Sequence, residues 1–366
     1  MRRIPFIDAA FPDPNMSRTR IEQRLTRHQH GLLARKAGLE FPKQQNDATE
    51  GQLEAITRHI EIPWKKSQRI ARRAASISAC ASQRSPLGRM KTEDRKRLDV
   101  LHNGVELVAL PSEHRADEIA AELHDGFPWL GRATEEIWHS LRRSVQTGES
   151  GIRIRPLLLV GPPGIAKSHW ARQLAHLIGV PGMTLEATTE NASFGLVGSQ
   201  RGWGNAAPGR LMNLILARLV ANPVVIVDEV EKAGLARSNK GQSYSLTDAL
   251  LPLLEPMTAR TWSCPYFEVG FDMSWIAWIL TANDWRHLPE PLLSRCPPMQ
   301  LQGPSNAQRL AFARRQGATR GLSDASVEAI CATLDWAVAQ GHQPDLRRVI
   351  RLLENAERLQ RRPPLQ

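Results

Sequence analysis

The sequence predicts an α/β fold: a parallel β-sheet around a phosphate-binding loop, followed by a small helical domain and preceded by a basic, mainly helical segment. Three observations lead there. The loop Gly161, Pro162, Pro163, Gly164, Ile165, Ala166, Lys167 and Ser168 stands between an apolar run, 157–160, and a helix-like segment, 170–178. Strand and helix signals then alternate, which means parallel strands joined by helical crossovers. After about residue 305 the strand signals stop, and the rest reads as helix.

The elements follow in order. Residues 1–50 mix Pro, Asn, Gln and charge, with one helix expected over 20–36. Residues 53–79 carry Ile56, Ile60, Ile70 and Ile77 among basic residues, and Pro63 must interrupt that helix, so a helical hairpin is expected. Ser85-Pro-Leu-Gly88 and the alternating charges after it suit a linker over 82–97. A boundary near residue 105 gives a basic arm over 1–105, a nucleotide-binding domain over 106–304 and a helical lid over 305–366. Within the second domain we expect a helix over 134–144, strands over 156–160 and 183–186, a helix after Lys167 and another over 211–221. The run 224–227 is continuous and β-branched, as a buried central strand is. Residues 275–280 form a further strand.

At 366 residues, with 42% hydrophobic and 23% charged residues, the chain has the composition of a soluble globular protein. No apolar run approaches the ~20 residues of a membrane span, so no membrane partner is expected. Pro5 and Asp8 break the start before a secretory apolar region develops, which predicts a cytoplasmic protein. Cys80, Cys264, Cys296 and Cys331 show no CxxC spacing, so reduced, mostly buried thiols are expected in place of a zinc site or disulfides. The formal charge is +11 and lies almost wholly in residues 1–105, which hold 21 Lys+Arg against 11 Asp+Glu. Such asymmetry points to an anionic partner, nucleic acid or an acidic protein face; the alternative is a solvated arginine-rich surface.

The loop carries chemistry. Its glycines let successive N–H groups converge on phosphate oxygens, and the helix that follows adds its positive end. Lys167 would neutralise the β- and γ-phosphates of ATP, and Ser168 would supply a hydroxyl oxygen to Mg²⁺. Ala166 replaces the usual last glycine, at little cost unless φ is positive there. Asp228 and Glu229 end the 224–227 strand: Asp228 would complete the Mg²⁺ shell, and Glu229 would polarise the attacking water. The competing reading is a strand-end carboxylate pair satisfied by solvent or by Lys232.

By these motifs, residues 127–353 resemble an AAA+ ATPase, most closely the ATPase module of the Lon family. The flanks carry the likeness as much as the loop does. Asn222-Pro-Val-Val-Ile-Val-Asp-Glu-Val-Glu-Lys232 is similar to that family's second nucleotide motif. Ala249-Leu-Leu-Pro-Leu-Leu-Glu-Pro256 and Tyr266-Phe-Glu-Val-Gly-Phe-Asp-Met-Ser274 resemble its approach to the fourth strand. The resemblance implies that Asn283 is the polar sensor and that Arg295 is an arginine finger offered to a neighbouring subunit. It further implies that Arg347, with Arg348 as competitor, is the sensor on the lid. MoxR-type ATPases and minichromosome-maintenance helicases also carry Ala before the loop lysine.

The Gly-flanked Trp203 resembles the aromatic of Lon's substrate-gripping pore loop; the alternative is an ordinary packed indole. A finger acting in trans implies a ring, expected to be hexameric. Lon proteases continue into a serine-lysine protease domain, whereas this sequence stops at Gln366, and the resemblance is not expected to reach residues 1–105. The expectation is therefore a chaperone-like ATP-hydrolysing motor, not a peptidase, that threads or remodels a protein, with or without a separate partner protein. The other reading is an ATPase that acts on DNA or RNA through residues 1–105.

Overall fold

The computed structural model describes residues 2–38, 61–188, 192–201, 206–233, 235–237 and 243–361. They fall into two compact units, Ala9–His102 and a larger one made of Met1–Asp8 with Asn103–Gln366. Among the described residues, no helix is long and apolar enough to cross a membrane.

The smaller unit is helical. Helix α1 (Arg18–Lys36) starts at Ser17, whose Oγ accepts the Arg20 N–H, and it packs against α2 (Trp64–Gln83). Small residues in the two helices, Gly31, Ala34 and Ala74, are fully or nearly fully buried. The sequence expectation for 53–79 begins outside the described residues. Its remainder is α2, entered at Pro63. The stretch expected as a linker is folded. Ser85 Oγ accepts the Leu87 N–H and donates to the Ala10 carbonyl, and a short turn leads to α3 (Thr92–Leu98). The alternating charges hide a second pattern, Leu87, Leu98 and Leu101, all buried to 1% exposure or less. Apolar residues at that spacing fold a segment whose charges stay at the surface.

The larger unit recruits the first eight residues, which the sequence grouped with the basic arm. Strand β1 (Arg2–Ile4) pairs antiparallel with β3 (Val105–Leu107), and β2 (Ile7–Asp8) pairs with β10 (Gly270–Phe271). After β3 come α4 (Glu113–Gly126), α5 (Gly131–Gln146), β4 (Leu157–Val160), α6 (Lys167–Ile178) and β5 (Gly182–Glu186). Next are α7 (Ala192–Val197), α8 (Arg210–Arg218), β6 (Val224–Asp228) and a hairpin of β7 (Leu235–Arg237) and β8 (Ser243–Ser245). Helices α9 (Leu246–Leu254) and α10 (Pro256–Arg260) lead through β9 (Trp262–Ser263) and β10 to β11 (Ala277–Ala282), α11 (Glu290–Arg295) and β12 (Pro298–Gln300). Three helices close the chain: α12 (Asn306–Thr319), α13 (Asp324–Ala339) and α14 (Leu346–Gln360).

The central sheet has five parallel strands in the order β12-β4-β11-β6-β5. One face presents Leu157, Leu159, Val224, Ile226, Ala277 and Ile279 to α4, α5 and α6 in one core. Within it Trp170 is fully buried, with its Nε1 donating to Thr134 Oγ1 at 3.1 Å. The last three helices enclose their own smaller core around Ala313, Leu334, Val349 and Leu353. Strand β11 starts two residues later than the apolar run suggests, because Trp275 lies before the strand, beneath the Arg153 guanidinium. An apolar run fixes that a strand exists and not where its ladder begins.

Leu87→Ala tests whether 82–97 is packed structure. It should destabilise the smaller unit by about 2–5 kcal/mol, read by urea unfolding. A change within about 0.5 kcal/mol, typical of surface substitutions, would mean that the segment behaves as a linker.

Candidate active site

The loop after β4 turns tightly against the end of the sheet. A Cβ at Gly161 would stand 2.7 Å from the Leu301 carbonyl oxygen, and at Gly164, with φ +75°, a Cβ would meet the Asp345 carboxylate at 2.6 Å. Only glycine fits either place. Ala166 also lies in the left-handed region, with φ 71° and ψ 28°. The condition under which alanine is costly therefore holds here, at about 1–2 kcal/mol. α6 opens at the next residue, so its free N–H groups face the loop.

Lys167 and Ser168 follow at the mouth of α6. The Lys167 ammonium donates to the Gly161 carbonyl (2.6 Å), the Pro162 carbonyl (3.1 Å) and Asn283 Oδ1 (3.1 Å). Burial pushes its pKa down to about 8, against the pull of Glu231, Asp228 and Glu229 in the other direction. Ser168 Oγ donates to Asp228 Oδ1 at 2.7 Å, and Thr281 Oγ1 donates to the same oxygen. Thr281 Oγ1 also accepts the Glu229 N–H. One carboxylate thus ties α6 to two neighbouring strands.

Glu229 sits with φ 55° and ψ 48°, a left-handed conformation uncommon for a residue with a side chain. Its carboxylate pairs with Lys232 Nζ at 2.9 Å, and Asn283 Nδ2 lies 3.4 Å from its other oxygen. Asn283 is held in turn, its N–H donating to Glu231 Oε1 at 2.9 Å. The two readings of Glu229 therefore coexist in the geometry: it is ion-paired with Lys232 and still faces the cavity.

That cavity, of about 840 Å³, lies between the sheet end and helices α12 and α14, and Gly164, Lys167, Ser168, Asp228, Glu229, Asn283 and Arg347 all line it. Arg348 is not on its wall; its N–H serves the Asp345 cap of α14. Arg295 is also elsewhere. It lies on α11 beside Glu255 at 3.8 Å, and its Nε is buried without a hydrogen-bond partner. Trp203 is outside the described residues.

Several wall residues carried no sequence signal of a role. Thr281, on the wall, and Glu231, just off it, flank named motifs and reveal their place only through hydrogen bonds across strands. Phe127 and Phe312 line the far end, and Phe127 meets the His169 ring edge-on at 5.5 Å. Arg315 clamps α12 to the end of α4, donating to the Asp125 and Gly126 carbonyls. Only tertiary packing brings these residues together.

The donor set suits a polyphosphate. It offers a glycine-tight turn, the mouth of a helix and a buried ammonium, with two arginines, Arg315 and Arg347, on the lid side. The hydroxyl of Ser168 and the carboxylate of Asp228 are oxygen ligands of the kind that hold Mg²⁺.

Ala166→Gly should relieve the strained φ. We expect a gain of about 0.5–1 kcal/mol, the left-handed penalty less glycine's backbone entropy, measured by thermal unfolding without nucleotide. A loss of stability would show that the alanine conformation is unstrained. The depressed Lys167 pKa means that the unfolded chain holds this proton more tightly than the folded one. Stability referenced to Lys167→Met should therefore rise as pH climbs from about 8 toward the ordinary lysine value, while ATP affinity falls over the same window. Affinity that stays flat between pH 7 and 10 would remove Lys167 from phosphate binding.

Comparison with known proteins agrees with this geometry. Residues 157–303 match the family described as ATPases associated with various cellular activities (AAA). A Lon protease of Magnetococcus marinus is 34% identical over 207 residues, 55% of this chain and 24% of that one. The Lon protease of Brucella melitensis is 26% identical over 318 residues, 85% of this chain and 37% of its own. At that coverage the likeness extends into residues 1–105, where the sequence expectation had placed none. A closed-state reconstruction of Hsp104 with ATPγS and FITC-casein superposes with a TM-score of 0.48 at 16% identity, over 77% of this chain and 50% of that one. The chain matches only about a quarter to a third of the length of its curated relatives. Residues 157–303 have the fold of the AAA family they match, and the module they form is similar to the ATPase module of the Lon family.

Proposed function

We propose that this chain is an ATP-hydrolysing motor that works in a hexameric ring, in the cytoplasm, and remodels or threads a protein substrate. The observation that carries the proposal is the split in the chemistry. Lys167, Ser168, Asp228, Glu229 and Asn283 share one hydrogen-bonded cavity wall, while Arg295 stands away from it, its Nε 3.8 Å from the Glu255 carboxylate without a hydrogen bond and its Nη1 donating to the Pro291 carbonyl. A guanidinium so placed can serve the nucleotide of a second copy, which favours a ring.

Within one site the roles follow from position. Lys167 gives up its carbonyl partners to meet phosphate oxygens, and the α6 N–H groups bind the same anion. Ser168 and Asp228 would hold Mg²⁺, which when bound neutralises phosphate charge. Glu229, steadied by Lys232 and Asn283, accepts the proton of the attacking water. Arg347 adds positive charge from the lid, and Arg295 of a neighbouring copy does so from outside. Trp203 between two glycines would grip an extended polypeptide without demanding a particular sequence. Because Lys167 and Ser168 are both committed to the loop, we assign these residues ATP hydrolysis and no peptide cleavage; cleavage, where it accompanies the motor, falls to a separate partner protein.

One observation favours a nucleic-acid reading instead. On α2 the cations Lys65, Lys66, Arg69, Arg72 and Arg73 are exposed along one side, and none has an ion pair among the described residues. Such a stripe suits phosphates, and binding through it would weaken steeply with salt.

The test is the ATPase rate of the full chain with an unfolded protein or with duplex DNA, at low and moderate salt, beside Glu229→Gln. Stimulation by the polypeptide, with turnover in Glu229→Gln reduced by about 10²-fold or more while ATP stays bound, supports the motor. Stimulation by DNA alone, abolished by salt, transfers the function to nucleic acid. Undiminished turnover in Glu229→Gln overturns its assignment as the base.

A further inference from the structure

On the opposite side of the phosphate loop from the nucleotide cavity, an open cleft of about 740 Å³ lies where β12 passes into the lid. Trp129, Pro162, Gln302, Asn306, Arg309 and Gln343 are on its wall. Arg309 is the anomaly. Its side chain is 6% exposed, burial pushes its pKa down, and among the described residues it has neither an ion pair nor a side-chain hydrogen bond. A buried cation without a counter-charge is costly, and folds retain one where something else supplies the anion.

Asn306 stands one turn before Arg309 on the same side of α12, and its Oδ1 is also buried and unpartnered. Its amide cannot simply be flipped, because Nδ2 donates to Asp335 Oδ1 at 2.6 Å, and flipping would set oxygen against carboxylate. The cleft therefore asks for two things at neighbouring points: negative charge for the guanidinium and an N–H or O–H donor for Oδ1. Both stand in the first turn of a fourteen-residue helix, whose positive end favours an anion.

We propose that this cleft binds a protonated or hydroxyl-bearing oxyanion, of which hydrogen phosphate is the simplest, with Arg309 taking the charge and Asn306 Oδ1 accepting the anion's O–H. Sulfate has the charge and lacks the proton, so the site discriminates between the two. The cleft is joined to the nucleotide loop by its own walls. Pro162 belongs to that loop, and Trp129 Nε1 donates to the Ile165 carbonyl at 2.8 Å.

The test is thermal unfolding of the full chain at neutral pH, with the phosphate loop first saturated with Mg²⁺ and ATPγS, titrated with phosphate or sulfate at constant ionic strength. Failure of ATPγS to raise the melting temperature would count against the nucleotide reading and is read separately from the second titration. Phosphate should raise the melting temperature further and sulfate should do so less. Arg309→Met should abolish the phosphate response, with a melting temperature in the absence of phosphate at or above that of the wild type, because an unpaired buried charge is gone. Should Arg309→Met fold poorly, Arg309→Lys, which keeps the charge, should retain a weakened response. An equal response to both anions in wild type, or a phosphate response undiminished in Arg309→Met, overturns the proposal.

Discussion

The Asp228 carboxylate is the joint on which the site depends. One of its oxygens receives the hydroxyl protons of Ser168, on the first turn of α6, and of Thr281, near the end of β11. Strand β6 is held between β5 and β11 in the parallel sheet, so the position of Asp228 is set by the ladder on both sides. From there the constraint spreads. Thr281 fixes the Glu229 N–H, Asn283 two residues later reaches both Lys167 and Glu229, and the lysine closes the loop on itself through the Gly161 carbonyl. The groups proposed to meet a phosphate are thus oriented by strands, whose rigidity a loop alone would not supply.

Strain gathers at the same place. Among the described residues only four with side chains have positive φ, and two of them, Ala166 and Glu229, are in this cavity. Each sits one residue beyond a regular turn or strand, where the chain must change direction sharply to aim a side chain. Neighbours hold the unfavourable conformation: α6 accepts the chain straight after Ala166, and Thr281 anchors the Glu229 amide. Unfavourable backbone kept in place by rigid surroundings is a mark of a working site.

Most of this was legible in the sequence because it is local. A glycine-rich loop between an apolar run and an amphipathic one, and a carboxylate pair ending a β-branched run, announce themselves within a dozen residues. What the sequence hid depends on distance. Thr281 and Glu231 look unremarkable until the parallel register sets β11 beside β6. Arg315 looks like a surface charge until α12 folds over the Asp125 carbonyl. The charge run of 82–97 misled for the opposite reason: Leu87 within it and Leu98 and Leu101 just after it are too widely spaced to stand out by periodicity, yet they are the residues that pack. The strand pairings of residues 2–8 were likewise invisible, since their partners lie about a hundred residues or more away in sequence.

The closing helices are coupled to this local chemistry by direct contact. Leu346 N–H, at the start of α14, donates to the Gly164 carbonyl, and Asp345 occupies the space that a side chain at Gly164 would need. The phosphate loop and the lid are therefore in direct contact at a residue with no side chain to buffer movement. At the other end Arg315 grips the carbonyls that end α4, beside the aromatic pair Phe127 and His169. Under the proposed function, a rearrangement of the loop around phosphate would displace α14, and because α14 packs with α12 and α13 as one small core, those helices would follow. Because that core is closely packed, the displacement passes through it with little loss to deformation. Under the proposed function, the closing helices are the element through which events at a nucleotide would become motion at a distance.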